Sequence, residues 1–430
     1  MRVLVLGTAG VSKREYMESV RELALDENLK PYGRASSSAR AEQFLSLKDI
    51  EKELETEKGG YAQYGAYLGR TAQEEQQSDW SNVCGKILDA LEKVRPTHTF
   101  LLTHAVYFRK KEFRSIIDLN LIRRFRPTVI LTLIDDAYDV VDRISQRERI
   151  AGTGSVCSFA EAMEWRTVET MLGDLISRNL YLPDDMLKGI SSDRSASFEE
   201  LRSRIARATG PKISNFVVAR KHNPRMVYRF LFERWREVVY ASYPITSTRP
   251  DEEAIKEINS FRSSLHSEFT VFDPVTIDEF PISTVKEVES VKRWPMDDPK
   301  GQSVGVGNMT LESFKDLGDD IIFNFQARDF RLVHQSDCLV AYRPFYRGRP
   351  TPASGVDREM IQALDGGKPI FVVHDPVVDG ELTADRTKFK PIQDATSIKP
   401  NTKEIIAEVM KTQEEKKKIW NQRGLDATWE

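Results

Sequence analysis

The chain has 430 residues, of which 40% are apolar and 30% charged, with a formal net charge of -3. That length exceeds one ordinary hydrophobic core and asks for two or three domains. The near balance of charge argues against a general nucleic-acid binder, and no apolar run reaches the roughly 18 residues of a membrane span.

The opening MRVLVLGTAG lacks the long apolar stretch and small-residue cleavage site of a signal peptide, and reads as a buried first strand. The three cysteines, Cys84, Cys157 and Cys338, are far apart and odd in number. They point to a reducing cytoplasm and to neither a disulfide framework nor a zinc site. Six scattered histidines offer no metal-ligand spacing.

Residues 2 to 6, RVLVL, lead into GTAGVSKRE. Strand, glycine loop and helix start form the context in which backbone N–H groups cradle a phosphate. Gly7, Gly10, Ser12 and Lys13 are the candidate loop residues. Against the pattern GxxxxGK[ST], Gly7 and Lys13 match. Ser12 replaces the second glycine, and Arg14 replaces the hydroxyl residue that ligates magnesium, so the loop is degenerate. Residues 38 to 58 read as polar and helix-prone. Residues 73 to 94 read as a helix, with Val83, Ile87, Leu88, Leu91 and Val94 near helical spacing, ended by Arg95-Pro96. THTFLLTH supplies a second strand, and Ser115 to Arg124 a helix. TVILTLI is a third strand, and DDAYDVVDRISQRERI is a helix carrying Arg143 and Arg147. Alternating strands and helices give a parallel sheet. A further helix spans 155 to 181, NFVVA at 215 to 219 closes the sheet, and MVYRFLFERW is a helix before a boundary near 236.

THTFLLTHAVYF followed by RPTVILTLIDDAYDVVDRISQRERI resembles the adenylate-kinase-like P-loop nucleotide kinases, especially the archaeal type. The resemblance matches Thr103-His104 to a strand-borne Thr-His, with Leu102 where an aspartate belongs. It matches Arg143 and Arg147 to lid arginines that neutralise phosphates. The alternative for these arginines is a solvated helix face. ATP and Mg are the cofactors implied if that half is active.

The second half opens with REVVYASYPIT, a strand and loop, followed by an amphipathic helix and the strand TVFDPVTI. Residues 281 to 320 are poorly patterned. Residues 328 to 373 then read as helix, strand CLVAY, polar loop, helix and strand PIFVV, with Asp329 at the start of the first helix and Glu359 in the first turns of the second. Ligands of open parallel sheets bind beyond the carboxyl ends of the strands, so both carboxylates are candidates for one pocket. The chain ends in a charged helix.

VYASYPITS, RDFRLVHQSDCLVAY and SGVDREMIQALDGGKPIFVV together resemble the nucleoside 2-deoxyribosyltransferase superfamily. The nearest branch is the one that hydrolyses the N-glycosidic bond of deoxynucleoside monophosphates. The resemblance implies that Ser242, Tyr243, Pro244, Ile245 and Thr246 contact sugar and base. It places the family's aspartate at Asp329 and its glutamate at Glu359. Ala353 stands where many transferases have an aspartate, which favours hydrolysis over transfer.

Breaking a sugar–base bond puts positive charge on the anomeric carbon, and a carboxylate beside that carbon traps or stabilises it. Glu359 takes that role, and Asp329 is the polar partner or general acid. Ser354 and Gly355, at a helix start, suit a 5′-phosphate, and Arg347 and Arg349 add charge. The structural alternatives are a first-turn carboxylate for Glu359 and a helix cap for Asp329.

The expectation is an α/β chain of two domains. A P-loop kinase-like parallel sheet over 1–236 is followed by a flavodoxin-like, deoxyribosyltransferase-type parallel sheet over 237–430. The expected activity is hydrolysis of a (deoxy)nucleoside 5′-monophosphate or related nucleotide to free base and sugar phosphate, in nucleotide-pool control or antiviral defence. Cleavage itself requires no cofactor or metal. The partner is a small-molecule nucleotide, with neither membrane nor direct nucleic-acid binding, and the protein is a cytoplasmic homo-oligomer. The rival readings are a nucleoside monophosphate kinase, a bifunctional enzyme and a non-enzymatic nucleotide sensor.

Overall fold

The structure is a computed structural model that describes residues 1–29, 38–109, 112–151, 157–180, 213–245, 247–248, 251–277, 279, 291–292, 303–304, 318–382 and 389–423. The chain is α/β, with two five-stranded parallel sheets in two compact units. The polar stretch 182–197, and most of 281–320, lie outside the described residues.

In the first unit the strands are β1 (Arg2–Leu6), β2 (Leu45–Asp49), β3 (His98–Leu102), β4 (Val129–Ile134) and β5 (Ser214–Ala219), in the order β2-β3-β1-β4-β5. Every pairing is parallel, with Val3 level with Phe100 on one side and Val129 on the other. All six residues of β4, VILTLI, are buried. A continuous apolar run is what a strand covered on both faces requires. The helix Gln73–Val94 buries Trp80, Val83, Cys84, Ile87, Leu88 and Leu91 on one face and stops at Arg95, which adopts a left-handed conformation. Val94, read as part of that apolar stripe, is 46% exposed.

The helical reading of 38–58 needs correction. Helix Ser38–Phe44 gives way to β2 and then to helix Ile50–Glu57. The strand LSLKD is an edge strand with only its first two residues buried, so its alternation is too short to stand out between two helices.

In the second unit the strands are β6 (Val238–Ser242), β7 (Thr270–Phe272), β8 (Cys338–Tyr342), β9 (Ile370–Val373) and β10 (Ser397–Lys399). Their order is β7-β6-β8-β9-β10, all parallel. This is the flavodoxin-like arrangement, whose ligand crevice opens between the first and third strands, here β6 and β8.

The units divide after Arg220, ahead of the expected boundary at 236. The reason is the helix Pro224–Phe232. Its Phe230 ring packs edge-on against Phe272 of β7, and Arg229 donates to the carbonyls of His266 and Phe269. Those carbonyls end the helix Glu252–Glu268, so Arg229 satisfies groups that this helix leaves open. No helix among the described residues is long and apolar enough to cross a membrane.

The turn after β1 depends on glycine. Gly7 has φ +145°, and a Cβ there would lie 2.6 Å from the Leu133 carbonyl of β4. Gly7→Ala should therefore cost the first unit at least about 1–3 kcal/mol, visible as a lower midpoint in thermal unfolding. An unchanged midpoint would mean that the turn is not seated against β4 in this way.

Candidate active site

The crevice predicted by the strand order is present as a cavity of about 410 Å³, lined among others by Tyr243, Arg328, Asp329, Arg349, Ser354 and Glu359. Three elements build it. The carboxyl end of β6 supplies Tyr240 and Ser242, two residues apart and so on one face of the strand. Helix Ser354–Asp365 buries Val356, Glu359, Met360 and Ala363, a spacing of one core-facing stripe. Glu359 is thus a carboxylate placed where an apolar residue is expected. Helix Gly318–Gln335 does the same with Asp329, which shares its buried stripe with Leu332, Val333 and, just past the helix, Ser336.

Glu359 is buried, and two hydroxyls hold it. Tyr240 Oη donates to Oε1 at 2.8 Å, and Ser242 Oγ donates to Oε2. Burial, and then the neighbouring Asp329 charge, push its carboxyl up to about 8 despite these donors. Burial also pushes Asp329 up. Arg328 pulls the other way, with Nε at 2.9 Å and Nη2 at 2.6 Å from Oδ1. The same guanidinium donates to the carbonyls of Ile277 and Pro274, fastening the helix to the loop after β7. Beside the cavity, Tyr243 Oη donates to Asp273 Oδ1 at 2.5 Å, which fixes the Tyr243 ring in the wall. Burial opposes the Asp273 charge, but Arg262 at 2.7 Å holds it well below the usual carboxylate range.

Asp329 lies in the C-terminal half of a helix that begins at Gly318, so the expected position at the helix start is corrected and capping does not explain it. Glu359 is in the second turn of its helix, as expected. Tyr243, Pro244 and Ile245 line the cavity, and Ser242 reaches it through Glu359. Thr246 lies outside the described residues. Ser354 and Gly355 line the cavity at the helix start, where Ala353 provides no side-chain cap for the first N–H groups. Arg349 lines the cavity, but Arg347 does not. Asp251 at 2.6 Å and the ring of Tyr346 draw its guanidinium to another helix end. Sequence reasoning missed Tyr240, Arg328, Glu279 and Arg358, all at or beside this site. The period-two link between Tyr240 and Ser242 was the available signal for the first.

The first unit has its own cavity of about 640 Å³, lined by Gly10, Ser12, Lys13, His104 and Arg147 among others. Its loop is engaged internally. The Gly7 N–H donates to Glu169 Oε1 at 2.9 Å, and Glu169 also accepts from Ala105 and Val106. Burial pushes Glu169 up to about 7, against the pull of Lys13. Lys13 Nζ donates to the Gly7 carbonyl at 2.6 Å and lies 2.7 Å from His104 Nδ1. Burial lowers both of these bases, and the Lys13 charge lowers His104 further. Arg143, expected to reach a phosphate, donates instead to the Gly10 carbonyl and pairs with Asp135. Asp135, Asp136 and Asp139 bring oxygens within 4.8 Å of one another. Arg143 already neutralises one of them and Arg14 offers no oxygen, so these residues are a poor fit to a bound Mg ion.

No protein-family model matches the chain, and no curated protein matches it. Among solved structures, it is similar to UDP-GlcNAc 2-epimerase from Methanocaldococcus jannaschii at 10% identity, over 96% of this chain and 92% of that one, with a TM-score of 0.17. A likeness of that size carries no argument about fold or activity.

The raised Glu359 carboxyl has a consequence for stability. In the unfolded chain it ionises near 4.5, whereas in the fold it keeps its proton to about 8. The folded state therefore binds more protons between those values, and stability falls as pH rises through that window. Glu359→Gln removes the penalty. Its melting temperature relative to the wild type should rise between pH 5 and pH 9, by an amount on the order of a few kcal/mol in stability. A difference that stays constant with pH would contradict the burial of an ionisable group at this position.

Proposed function

We propose that the second unit hydrolyses the N-glycosidic bond of a nucleotide, releasing free base and sugar phosphate. The observation that carries this is the convergence of two buried carboxylates, Glu359 and Asp329, on one cavity at the strand-order switch.

Burial and mutual repulsion oppose a second charge on the pair, so at neutral pH it holds one proton and one negative charge. As the base departs, the anomeric carbon becomes cationic. In the empty site the pair's proton rests on Glu359. With substrate bound it moves to the Asp329 side and from there to the leaving nitrogen, so that Glu359 carries the charge beside the carbon. Glu359 then forms a glycosyl ester that water cleaves, or shields the cation until water adds. In both routes one water is consumed, base leaves with a proton, and the sugar gains a hydroxyl. Tyr240 and Ser242 keep the Glu359 oxygens aimed. The uncapped N–H groups of Ser354 and Gly355 meet the 5′-phosphate at the helix start.

In this reading the first unit binds a ligand and does not transfer phosphoryl groups. The internal engagement of Gly7 and Lys13 favours that assignment over a kinase.

Incubation with a panel of nucleotides, followed by chromatography, should show free base. Glu359→Gln should lower release by at least about a thousandfold, and Asp329→Asn by about a hundredfold or more. Lys13→Ala should leave release intact. Persistent release by Glu359→Gln would remove that residue from the mechanism, and ATP-dependent diphosphate formation without base release would favour the kinase.

A further inference from the structure

The stretch from 343 to 358 carries four arginines, and the structure divides them sharply. Arg343 is buried against Asp379 and Glu257, and Arg347 is paired with Asp251. Arg328, on the neighbouring helix, is paired with Asp329. The other two, Arg349 and Arg358, are exposed, and both line the Glu359 cavity. Neither guanidinium makes a hydrogen bond or ion pair among the described residues. They approach from different elements, Arg349 from the loop after β8 and Arg358 from the second turn of the next helix. Asp357 is next to Arg358 along the chain but forms no ion pair with it; burial pushes its carboxyl up, and the Arg358 charge pulls the other way.

Arg349 and Arg358 have no carboxylate partner among the described residues, whereas the buried carboxylates of the same cavity, Asp329, Glu279 and Glu359, face Arg328. An anionic group of the ligand is the partner the two exposed guanidiniums suit. The helix start can meet one phosphate by itself. A guanidinium from each side adds two planar, bidentate donors, which suit non-bridging oxygens of further phosphates. A monophosphate has only one such group to offer. This inference rests on the glycosidase reading of the same cavity and narrows its substrate.

We propose that the Glu359 cavity takes nucleotides bearing two or more linked phosphates, with Arg349 and Arg358 holding the phosphates beyond the first. The reaction is unchanged: one water is consumed, free base leaves with a proton, and the sugar retains its whole phosphate chain.

The test compares the mono-, di- and triphosphate of one nucleoside, using the full-length protein. For base release, kcat/KM should be at least about tenfold higher for the triphosphate than for the monophosphate, the size of one charge-assisted contact. In the Arg349→Ala/Arg358→Ala double variant that ratio should fall to within about twofold, and in the double lysine variant it should be intermediate. Both side chains are exposed, so folding is checked simply by an unchanged melting temperature. Equal or faster release from the monophosphate, or a ratio that survives in the double alanine variant, would overturn the inference and leave the glycosidase standing.

If no nucleotide yields free base, the glycosidase reading fails, and calorimetric binding of the same three nucleotides decides the inference separately. Binding at least about tenfold tighter for the triphosphate, lost in the double alanine variant, supports it. Equal binding of all three overturns it.

Discussion

The second unit is organised by one unfavourable act, the removal of two carboxylates from water within one crevice. A buried carboxylate is tolerated only where donors and charges replace its hydration. Glu359 receives two hydroxyl donors from one face of β6, and Asp329 receives a guanidinium from its own neighbour in sequence. These donors are too few to stabilise two full charges, and the pair therefore retains a proton. The arrangement needs β6 to present alternate residues to the crevice. It also needs helix Ser354–Asp365 to lie over that strand, and Arg328 to tie the third element to the loop after β7. Each requirement is met by a local feature of the sequence.

The two units use similar parallel sheets and reach different electrostatic outcomes. In the first, the carboxylate Glu169 accepts three backbone N–H groups, Lys13 is spent on the Gly7 carbonyl and His104, and Arg143 is spent on Gly10 and Asp135. Groups that could meet a phosphate are satisfied from within. In the second, the comparable groups line the cavity: a helix start without a side-chain cap, two guanidiniums with no partner among the described residues, and a proton-holding carboxylate pair. The proposed chemistry is placed in the second unit because these groups, among the described residues, are not all satisfied from within.

Much of this was legible in the sequence. Parallel sheets follow from alternating apolar runs and helices, and the crevice position follows from strand order. Glu359 was singled out from its place after CLVAY and Ser354-Gly355, and it lines the cavity. A stronger signal lay unused, since both Glu359 and Asp329 occupy core-stripe positions of their helices, where a charge is costly. The edge strand β2 was not legible because its pattern is too short. The boundary at Arg220 was missed because helix Pro224–Phe232 reveals its allegiance only through Phe272 and the carbonyls that Arg229 meets. Arg347 was misassigned because sequence proximity cannot tell a guanidinium facing a cavity from one drawn to Asp251 across the fold. Long-range pairing decided each of these cases.

The central claim is that the anomeric carbon of a nucleotide comes to rest beside residue 359. A crystal structure of the Glu359→Gln protein with an intact nucleotide tests it most directly. The account predicts that the anomeric carbon will lie in contact with the residue 359 side chain, with Asp329 within hydrogen-bond reach of the base or of a sugar hydroxyl. A nucleotide seated elsewhere, or one whose sugar lies away from both side chains, would contradict it.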